Sequence, residues 1–450
     1  MYDKGGAEMS IKHHNSSSFY VFDFLIYTVI IVMSINFIGN LDLHNKDVGV
    51  IFTFLLIGLM SFIGIIKCED NISVYRVMHI FNYIFLFMAP LQQYSKSTIL
   101  WKQNGLNLIY ENMDYWRANI AIIIAIITME IGYQVKLKRN SQKTLSCDLT
   151  LTNAALLTML ILSTICLLML FATNNVKADT MIVKTASIND QIVNILKYIP
   201  VSSLLIYLMS RKNTQIKHQN LYLLLMIAEV GMIFSPFWGS MPRFILFGTY
   251  VVFCAFLFAD AKYKSIYFFA MFIGFCYMFS SMKFTKTYQF SFDTVNFIHV
   301  DFDAYQMLMA CMKYVNQKGV FWGLNLLSSI MFIIPRSIVK WKMEATGGIV
   351  VSEFHSWFKN VSMPYIGELY AAFRWTGIVV FGFLSGIGMR ILSTWKNEKN
   401  FLKNGVFYIT TGMTIYIMRG ALLAAASYTL GLILTFYLTY KVCSYMNRKN

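Results

Sequence analysis

Residues 334–374 form a stretch in which this chain gathers groups that could do chemistry, next to long runs of apolar sequence. Arg336 and Lys342 are suited to holding an anion, because a guanidinium presents a fixed fork of donors that matches a phosphate and an ammonium adds positive charge. His355 and Glu368 could accept a proton, which is the role of a general base. The stretch therefore predicts a site that binds an anion and moves a proton.

Each of these groups also has an ordinary structural interpretation, which stays open at this point. Basic side chains at a membrane edge extend to lipid headgroups, and His355 can be a polar loop residue. Glu368 can be an ion-pair partner of Arg374, while Tyr370, two residues further on, faces another side of a helix. Tyr370 is expected to pack against a sugar or against Trp375.

The elements that must position this stretch are membrane helices. Of the 450 residues, 57% are hydrophobic and 13% are charged, which is too few charges to cover a soluble globule of this size. The apolar runs are about 17–25 residues long, the length that crosses about 30 Å of hydrocarbon. We predict an all-α polytopic membrane protein that forms a single integral membrane domain over residues 1–450. Its spans are expected at 20–38, 48–66, 75–92, 118–135, 152–172, 191–210, 220–237, 242–259, 265–282, 366–391, 404–418 and 421–441.

Basic residues indicate which loops are cytoplasmic, since short cytoplasmic loops are rich in Lys and Arg. Here the basic loops follow even-numbered spans, which places them on one side of the membrane and both termini in the cytoplasm. The net charge of +16 comes largely from these loops, so it does not indicate nucleic acid as a partner. The basic segments are 136–143, 211–217, 262–264, 396–403 and 441–449.

The segment 321–334 is apolar but only about 14 residues long, too short to cross a bilayer as a helix. A crossing here would also move the basic loop 396–403 to the outer side, against the positive-inside rule. We therefore predict a re-entrant or interfacial helix that returns to the side from which it came. This gives about 12 transmembrane helices and a large outer loop at 283–365 that contains the segment.

Three arginines, Arg243, Arg336 and Arg419, fall on the outer face in this topology. The positive-inside rule does not favour a cation there, so each arginine is expected to have an anionic partner. Arg243 opens the eighth span, Arg336 follows the short apolar segment, and Arg419 separates the last two spans. We predict that the three guanidinium groups converge on one anion outside the bilayer.

Short motifs follow one another in the second half of the chain: Ser240-Met241-Pro242-Arg243, Phe302-Asp303-Ala304-Tyr305, Ile334-Pro335-Arg336-Ser337-Ile338, Ser362-Met363-Pro364-Tyr365-Ile366-Gly367-Glu368-Leu369-Tyr370 and Arg419-Gly420. Their order resembles that of the O-antigen and oligosaccharide repeat-unit polymerases of the Wzy type, which are GT-C-like membrane glycosyltransferases. Arg336 and Gly347 also fit an Arg-x10-Gly spacing associated with the main outer loop of that family. The chain departs from the family in lacking the prolines that often follow Pro-Arg, and in having Phe373-Arg374 where Phe-Gly is common.

The resemblance implies a reaction in which the growing glycan leaves undecaprenyl pyrophosphate and joins the non-reducing-end sugar of an incoming lipid-linked repeat unit. Arg243 and Arg336 are expected on the donor pyrophosphate, where negative charge builds on the bridging oxygen. Glu368 or His355 is expected to be the general base, and no cofactor is implied. The other expected substrate contacts are Arg419, Lys342, Tyr370, Arg374 and Asp303.

The pair Asp301 and Asp303 has the spacing of the Asp-x-Asp motif of metal-dependent glycosyltransferases. Two such carboxylates could hold Mg²⁺ or Mn²⁺ on a diphosphate. Arginines can already supply the counter-charge, so we favour the ordinary interpretation, in which the pair caps a helix at 303–316 and forms part of its solvated face. We therefore predict a metal-independent enzyme.

The resemblance further implies the bacterial inner membrane, with an active site that faces the periplasm. The expected partners are an undecaprenyl-pyrophosphate-linked oligosaccharide, membrane lipid, and a chain-length regulator and a flippase of the same pathway. Two alternatives stay open, namely an O-antigen ligase that transfers to the lipid A core and a lipid-linked oligosaccharide flippase. A flippase needs charged residues around a cavity in both halves of the chain, whereas here the polar residues gather in the second half.

Overall fold

The structure is a computed structural model that describes residues 16–68, 70–136, 149–172, 195–211, 219–234, 243–259, 263, 265–279, 295–396, 398 and 400–449. Within these ranges all regular structure is helical and there is no β-strand. The helix at Val74–Ser95 passes through a π-helical segment at Asn82–Met88. The helices are α1 (Ser16–Gly39), α2 (Val48–Lys67), α3 (Val74–Ser95), α4 (Asn112–Tyr133), α5 (Asn153–Ala172), α6 (Ile199–Ser210), α7 (Gln219–Ile233), α8 (Arg243–Leu257), α9 (Ser265–Ile273), α10 (Ala304–Lys318), α11 (Leu324–Ile330), α12 (Thr346–Glu353), α13 (Tyr365–Trp395), α14 (Phe401–Arg419) and α15 (Leu422–Lys449).

Seven helices in the described ranges are long and apolar enough to cross a membrane, namely α1 to α5, α13 and α15. Four shorter apolar helices, α6 to α9, lie between them in the chain. The prediction of an all-helical polytopic membrane protein is confirmed at this level. Eleven of the twelve predicted spans coincide with one of these helices, and the remaining one, 404–418, lies within α14, but a count of twelve crossings stays a prediction.

The predicted re-entrant segment 321–334 contains only α11, a helix of 7 residues. At 1.5 Å per residue this helix is roughly 10 Å long, about a third of the hydrocarbon thickness. The segment therefore does not cross the bilayer as a helix, and its entry into the membrane stays a prediction. Its start is fixed to α13, because the Phe321 N–H donates a hydrogen bond to the Ala371 carbonyl at 2.8 Å.

Glycines allow α4 and α13 to pack with their backbones in contact. A Cβ atom added to Gly386 would overlap the Met129 carbonyl oxygen, and one added to Gly132 would overlap the Phe383 carbonyl oxygen. Small residues are favoured where membrane helices meet, since they let the backbones approach and gain dispersion contacts. The two helices run parallel, so the first turns of α4 lie beside the start of α13.

We expect Gly386→Ala to destabilise the protein, because the added methyl group forces α4 and α13 apart. Overpacking of this kind costs about 1–3 kcal/mol. Gly388→Ala is the matched control on the same helix, since a Cβ atom added at Gly388 meets no atom within 4 Å. Thermal unfolding in detergent should show a lower midpoint for the first variant only, and equal midpoints for the two variants would contradict this packing.

The loops gather at the two ends of the bundle. At one end, the Lys396 ammonium lies 3.3 Å from Asp70 and donates to the Ala259 carbonyl at 3.2 Å. At the other, which we call the Asp303 end, Asp303 contacts Arg419. These pairings agree with the predicted topology, in which loops that follow even-numbered spans share one side. Which side of a membrane each end faces stays a prediction.

Candidate functional site

A break in α13 shapes the most distinctive site at the Asp303 end. Phe373 (φ −149°, ψ 24°) and Arg374 (φ 55°, ψ −138°) leave the helical conformation inside this helix. The positive φ of Arg374 is costly for a residue with a side chain, and such residues cluster at functional sites. The break is held in place by the hydrogen bond from Phe321 to Ala371 and by one from Arg374 to the Val315 carbonyl at 3.3 Å.

A groove lies beside the break, between α4, α10 and α13. Its larger part has a cavity volume of about 490 Å³ and its smaller part about 200 Å³. The two parts share Arg117 and Asn316, so they adjoin. The polar and aromatic residues that line this α4–α10–α13 groove are Asp114, Arg117, Lys313, Asn316, Gln317, Tyr370, Arg374 and Trp375.

The groove carries more positive than negative charge. Lys313 is neutralised by Asp114, with 2.8 Å between the ammonium nitrogen and a carboxylate oxygen. Arg117 is exposed and has no hydrogen bond or ion pair within the described ranges. Arg374 donates to a backbone carbonyl and has no ion-pair partner there. Two guanidinium groups whose charge is not neutralised thus face one cavity, an arrangement suited to a diphosphate.

An aromatic pair forms the wall of the groove next to these arginines. The rings of Tyr370 and Trp375 meet edge to face, with 5.6 Å between their centroids. Two partners were predicted for Tyr370, a sugar or Trp375, and the structure places its ring against Trp375 while Tyr370 also lines the groove. Aromatic rings with a polar edge suit a ligand that offers both C–H faces and hydroxyl groups. A sugar is such a ligand.

Arg336 and Lys342, the first residues considered for an anion site, bond to the backbone of their own loop. Arg336 donates to the Met343 carbonyl at 3.2 Å and lies 3.9 Å from Glu344. The Lys342 ammonium donates to two loop carbonyls, at 2.9 and 2.8 Å. Burial lowers the pKa of Lys342, and the nearby Arg336 charge lowers it further. The two cations therefore order the loop and do not line the groove.

Arg419 and Asp303 are brought together as a buried ion pair, 3.0 Å apart. The Arg419 guanidinium also lies over the Phe244 ring, 4.0 Å from its centroid. The second Asp303 oxygen accepts from the Trp101 indole at 2.9 Å and from the Ser362 N–H at 3.2 Å. Both side chains have full sets of partners, so they join the loops of the Asp303 end to α14.

The side chain of Arg243 lies outside the described part of the structure. Its backbone begins α8, and the next residue, Phe244, provides the ring beneath Arg419. The start of α8 and the end of α14 therefore lie together at the Asp303 end. This matches the shared face predicted for Arg243 and Arg419, although no contact between their side chains is described.

Glu368 is buried and links four helices. Its carboxylate accepts hydrogen bonds from Asn325 of α11 at 2.8 Å, from Thr346 of α12 at 2.6 Å and from the Leu422 N–H of α15 at 2.9 Å. A carboxylate is favourable at a helix N-terminus, where it meets unpaired N–H groups and the positive end of the helix dipole. Glu368 does not line the groove and forms no ion pair with Arg374.

His355 is exposed and adopts a positive φ of 63° in a turn. That turn is docked on the loop before α4, since the Ser356 hydroxyl donates to the Asn104 carbonyl at 3.0 Å. The Asn107 N–H in turn donates to the carbonyl of Phe354 at 3.1 Å. The imidazole is therefore exposed and is not among the residues that line the groove.

Sequence reasoning missed Arg117, Asp114, Lys313 and Asn316. For Arg117 a signal was present, because this arginine directly precedes the predicted span 118–135 on the outer side. The outer-face positions of Arg243, Arg336 and Arg419 were predicted on the same ground. In the described ranges, no three or more His, Cys, Asp or Glu side chains lie close enough together to hold a metal ion.

Comparisons with known proteins do not identify a family for the chain. No protein-family model matches it, no curated protein matches it, and no solved structure matches it.

Proposed function

We propose that the protein polymerises a surface polysaccharide as a lipid-pyrophosphate-dependent glycosyltransferase of the Wzy type. It transfers the growing glycan from undecaprenyl pyrophosphate to a sugar hydroxyl of an incoming lipid-linked repeat unit. The observation that carries the proposal is the pair Arg117 and Arg374, whose unneutralised guanidinium groups line one cavity beside a broken membrane helix. Supporting it is the aromatic wall formed by Tyr370 and Trp375.

The charge of this groove suits the chemistry of a pyrophosphate leaving group. As the bond to the sugar breaks, negative charge builds on the bridging oxygen, and donors that are already in position stabilise it. Each charge-assisted hydrogen bond contributes about 1.5–3 kcal/mol. Arg117 and Arg374 can therefore lower the barrier by several kcal/mol without a metal ion.

The position of the groove suits a lipid-linked substrate. Deeper along the same two helices, Ile120 of α4 and Val379 and Val380 of α13 expose 41%, 44% and 45% of their surface. Exposed apolar side chains on membrane helices contact hydrocarbon. A polyprenyl chain can lie along them in the bilayer while its pyrophosphate stays at the groove.

The finer topology belongs to the same proposal. In it, twelve helices cross the bacterial inner membrane, both termini are cytoplasmic, and the Asp303 end faces the periplasm. The segment 321–334 is then re-entrant or interfacial on that side. This orientation puts the groove on the side where a flippase would deliver lipid-linked repeat units and where a chain-length regulator could act.

The test is to incubate the purified protein with lipid-linked repeat units extracted from cells that lack it. We expect oligomers whose masses differ by one repeat unit, with one undecaprenyl pyrophosphate released for each bond formed. A ligase would instead need added lipid A core, and a flippase would release no pyrophosphate lipid. Absence of both oligomers and released lipid from active preparations would overturn the proposal.

A further inference from the structure

We infer that Asp114 is the base that removes the proton from the acceptor hydroxyl, an assignment that rests on the proposed function. Asp114 and Arg117 lie three residues apart on α4, so their side chains share one face of that helix. Both line the groove. A proton acceptor is thereby placed one helical turn from the guanidinium that would bind the leaving group.

The two oxygens of Asp114 have different surroundings. One oxygen, Oδ2, accepts from the Glu111 N–H at 2.9 Å, as part of the capping box of α4, and from Lys313 at 2.8 Å. The other, Oδ1, accepts no hydrogen bond from a residue in the described ranges. The side chain is 13% exposed. The carboxylate is thus anchored through Oδ2, which leaves Oδ1 available to accept a proton.

Neighbouring side chains can hold the acceptor sugar against this open oxygen. Asn316 and Gln317 of α10 line the same part of the groove. Their amides offer both donors and acceptors, which is what a sugar hydroxyl requires. Met309 and Met312 complete the lining with a surface that adapts to irregular shapes.

Neither of the two general bases expected from the sequence lines the groove. Glu368 is buried with three donors on its carboxylate, and His355 lies on the surface outside the groove. Among the residues that line the described groove, Asp114 is the one carboxylate, and there is no histidine.

The step conserves atoms and electrons. The acceptor hydroxyl oxygen bonds to the anomeric carbon of the donor glycan, while the bond from that carbon to the pyrophosphate oxygen breaks. The electron pair of the broken bond leaves on the pyrophosphate, beside Arg117 and Arg374. The hydroxyl proton moves to Oδ1 of Asp114 and then to solvent.

The test compares Asp114→Asn with wild type in oligomer formation from extracted lipid-linked repeat units. Asparagine keeps an oxygen for the capping box but is a poor base, so we expect the turnover rate to fall by about 100- to 10,000-fold. The affinity for undecaprenyl pyrophosphate alone should change by less than about threefold. Glu353→Gln is the matched control, because Glu353 pairs with Lys318 of α10 at 2.9 Å outside the groove.

Azide, used in place of the acceptor sugar, distinguishes a general base at position 114 from a carboxylate that has only a structural role. Azide is a nucleophile without a proton to lose, so with azide the Asp114→Asn variant should release undecaprenyl pyrophosphate as fast as wild type does with azide. Failure of this rescue, or wild-type oligomer formation by Asp114→Asn, would overturn the assignment. If wild-type protein forms no oligomers, the proposed function itself fails, so the two failures are distinguishable.

Discussion

Replacing Arg117 and Arg374 together by glutamine is expected to lower the rate of glycan transfer at limiting substrate by roughly 100- to 20,000-fold. Each guanidinium is expected to make a charge-assisted hydrogen bond to the leaving group, worth about 1.5–3 kcal/mol. Since about 1.4 kcal/mol is a factor of ten in rate, each single substitution should cost roughly 10- to 150-fold. The measurement is oligomer formation by purified variants at equal protein concentration.

This experiment has two kinds of control. One replaces an arginine of α13 outside the groove, and the other replaces a groove arginine by lysine, which keeps the charge. Arg390→Gln removes an arginine of α13 that lies over the Tyr133 ring at 5.5 Å, outside the groove, and its rate should stay within twofold of wild type. Lysine at position 117 or 374 should restore part of the rate, because it keeps the charge and loses the fork of donors. A double glutamine variant with wild-type rate would contradict the assignment of the groove.

Asp303→Ala is expected to destabilise the protein by about 3–5 kcal/mol, because it leaves the Arg419 guanidinium buried without a counter-charge. Asp303 is fully buried, and Arg419 is held against it at 3.0 Å. The substitution also removes the acceptor of the Trp101 indole N–H and of the Ser362 N–H. We expect a much lower midpoint of thermal unfolding in detergent and less protein in the membrane.

The control for this prediction is the ion pair of Glu353 and Lys318, whose side chains are more exposed. Glu353→Ala removes the partner of Lys318, and such a pair contributes at most about 1 kcal/mol to stability. An Asp303→Ala variant that is as stable as wild type but inactive would show that Asp303 contacts substrate, as the resemblance implied. Loss of stability in proportion to loss of activity would support the structural role.

The helices could be predicted from the sequence because a segment in hydrocarbon must satisfy its backbone hydrogen bonds internally. The apolar run at 48–66 became α2 (Val48–Lys67), and the run at 152–172 became α5 (Asn153–Ala172). The sixth predicted span, 191–210, shows its helix α6 only from Ile199 in the described ranges, with Pro200 in its first turn. Proline is favoured in the first turn of a helix, because the N–H that it lacks would have no partner inside the helix.

The partners of the charged residues could not be predicted in the same way. The sequence shows that Arg336 and Lys342 are basic and lie in a polar loop, but not that both donate to carbonyls of that loop. Arg419 and Asp303 were each expected to contact substrate, and their mutual contact depends on how distant helices pack. Charge alone therefore indicated that Arg419 and Asp303 lie at one end of the bundle, without giving their pairing.

The groove could not be predicted from the sequence, because its walls come from three distant parts of the chain. Its position depends on the parallel packing of α4 and α13, which glycines make possible, and on the break at Phe373 and Arg374. Helix breaks usually occur at proline or glycine, and this one has neither at the broken positions. No local pattern in the sequence marks it.

The most direct test is a cryo-electron microscopy structure of the protein with undecaprenyl pyrophosphate bound. We expect the diphosphate in the α4–α10–α13 groove, with its oxygens about 2.7–2.9 Å from the guanidinium nitrogens of Arg117 and Arg374. A diphosphate bound beside Arg336 and Lys342, with the groove empty, would contradict the account.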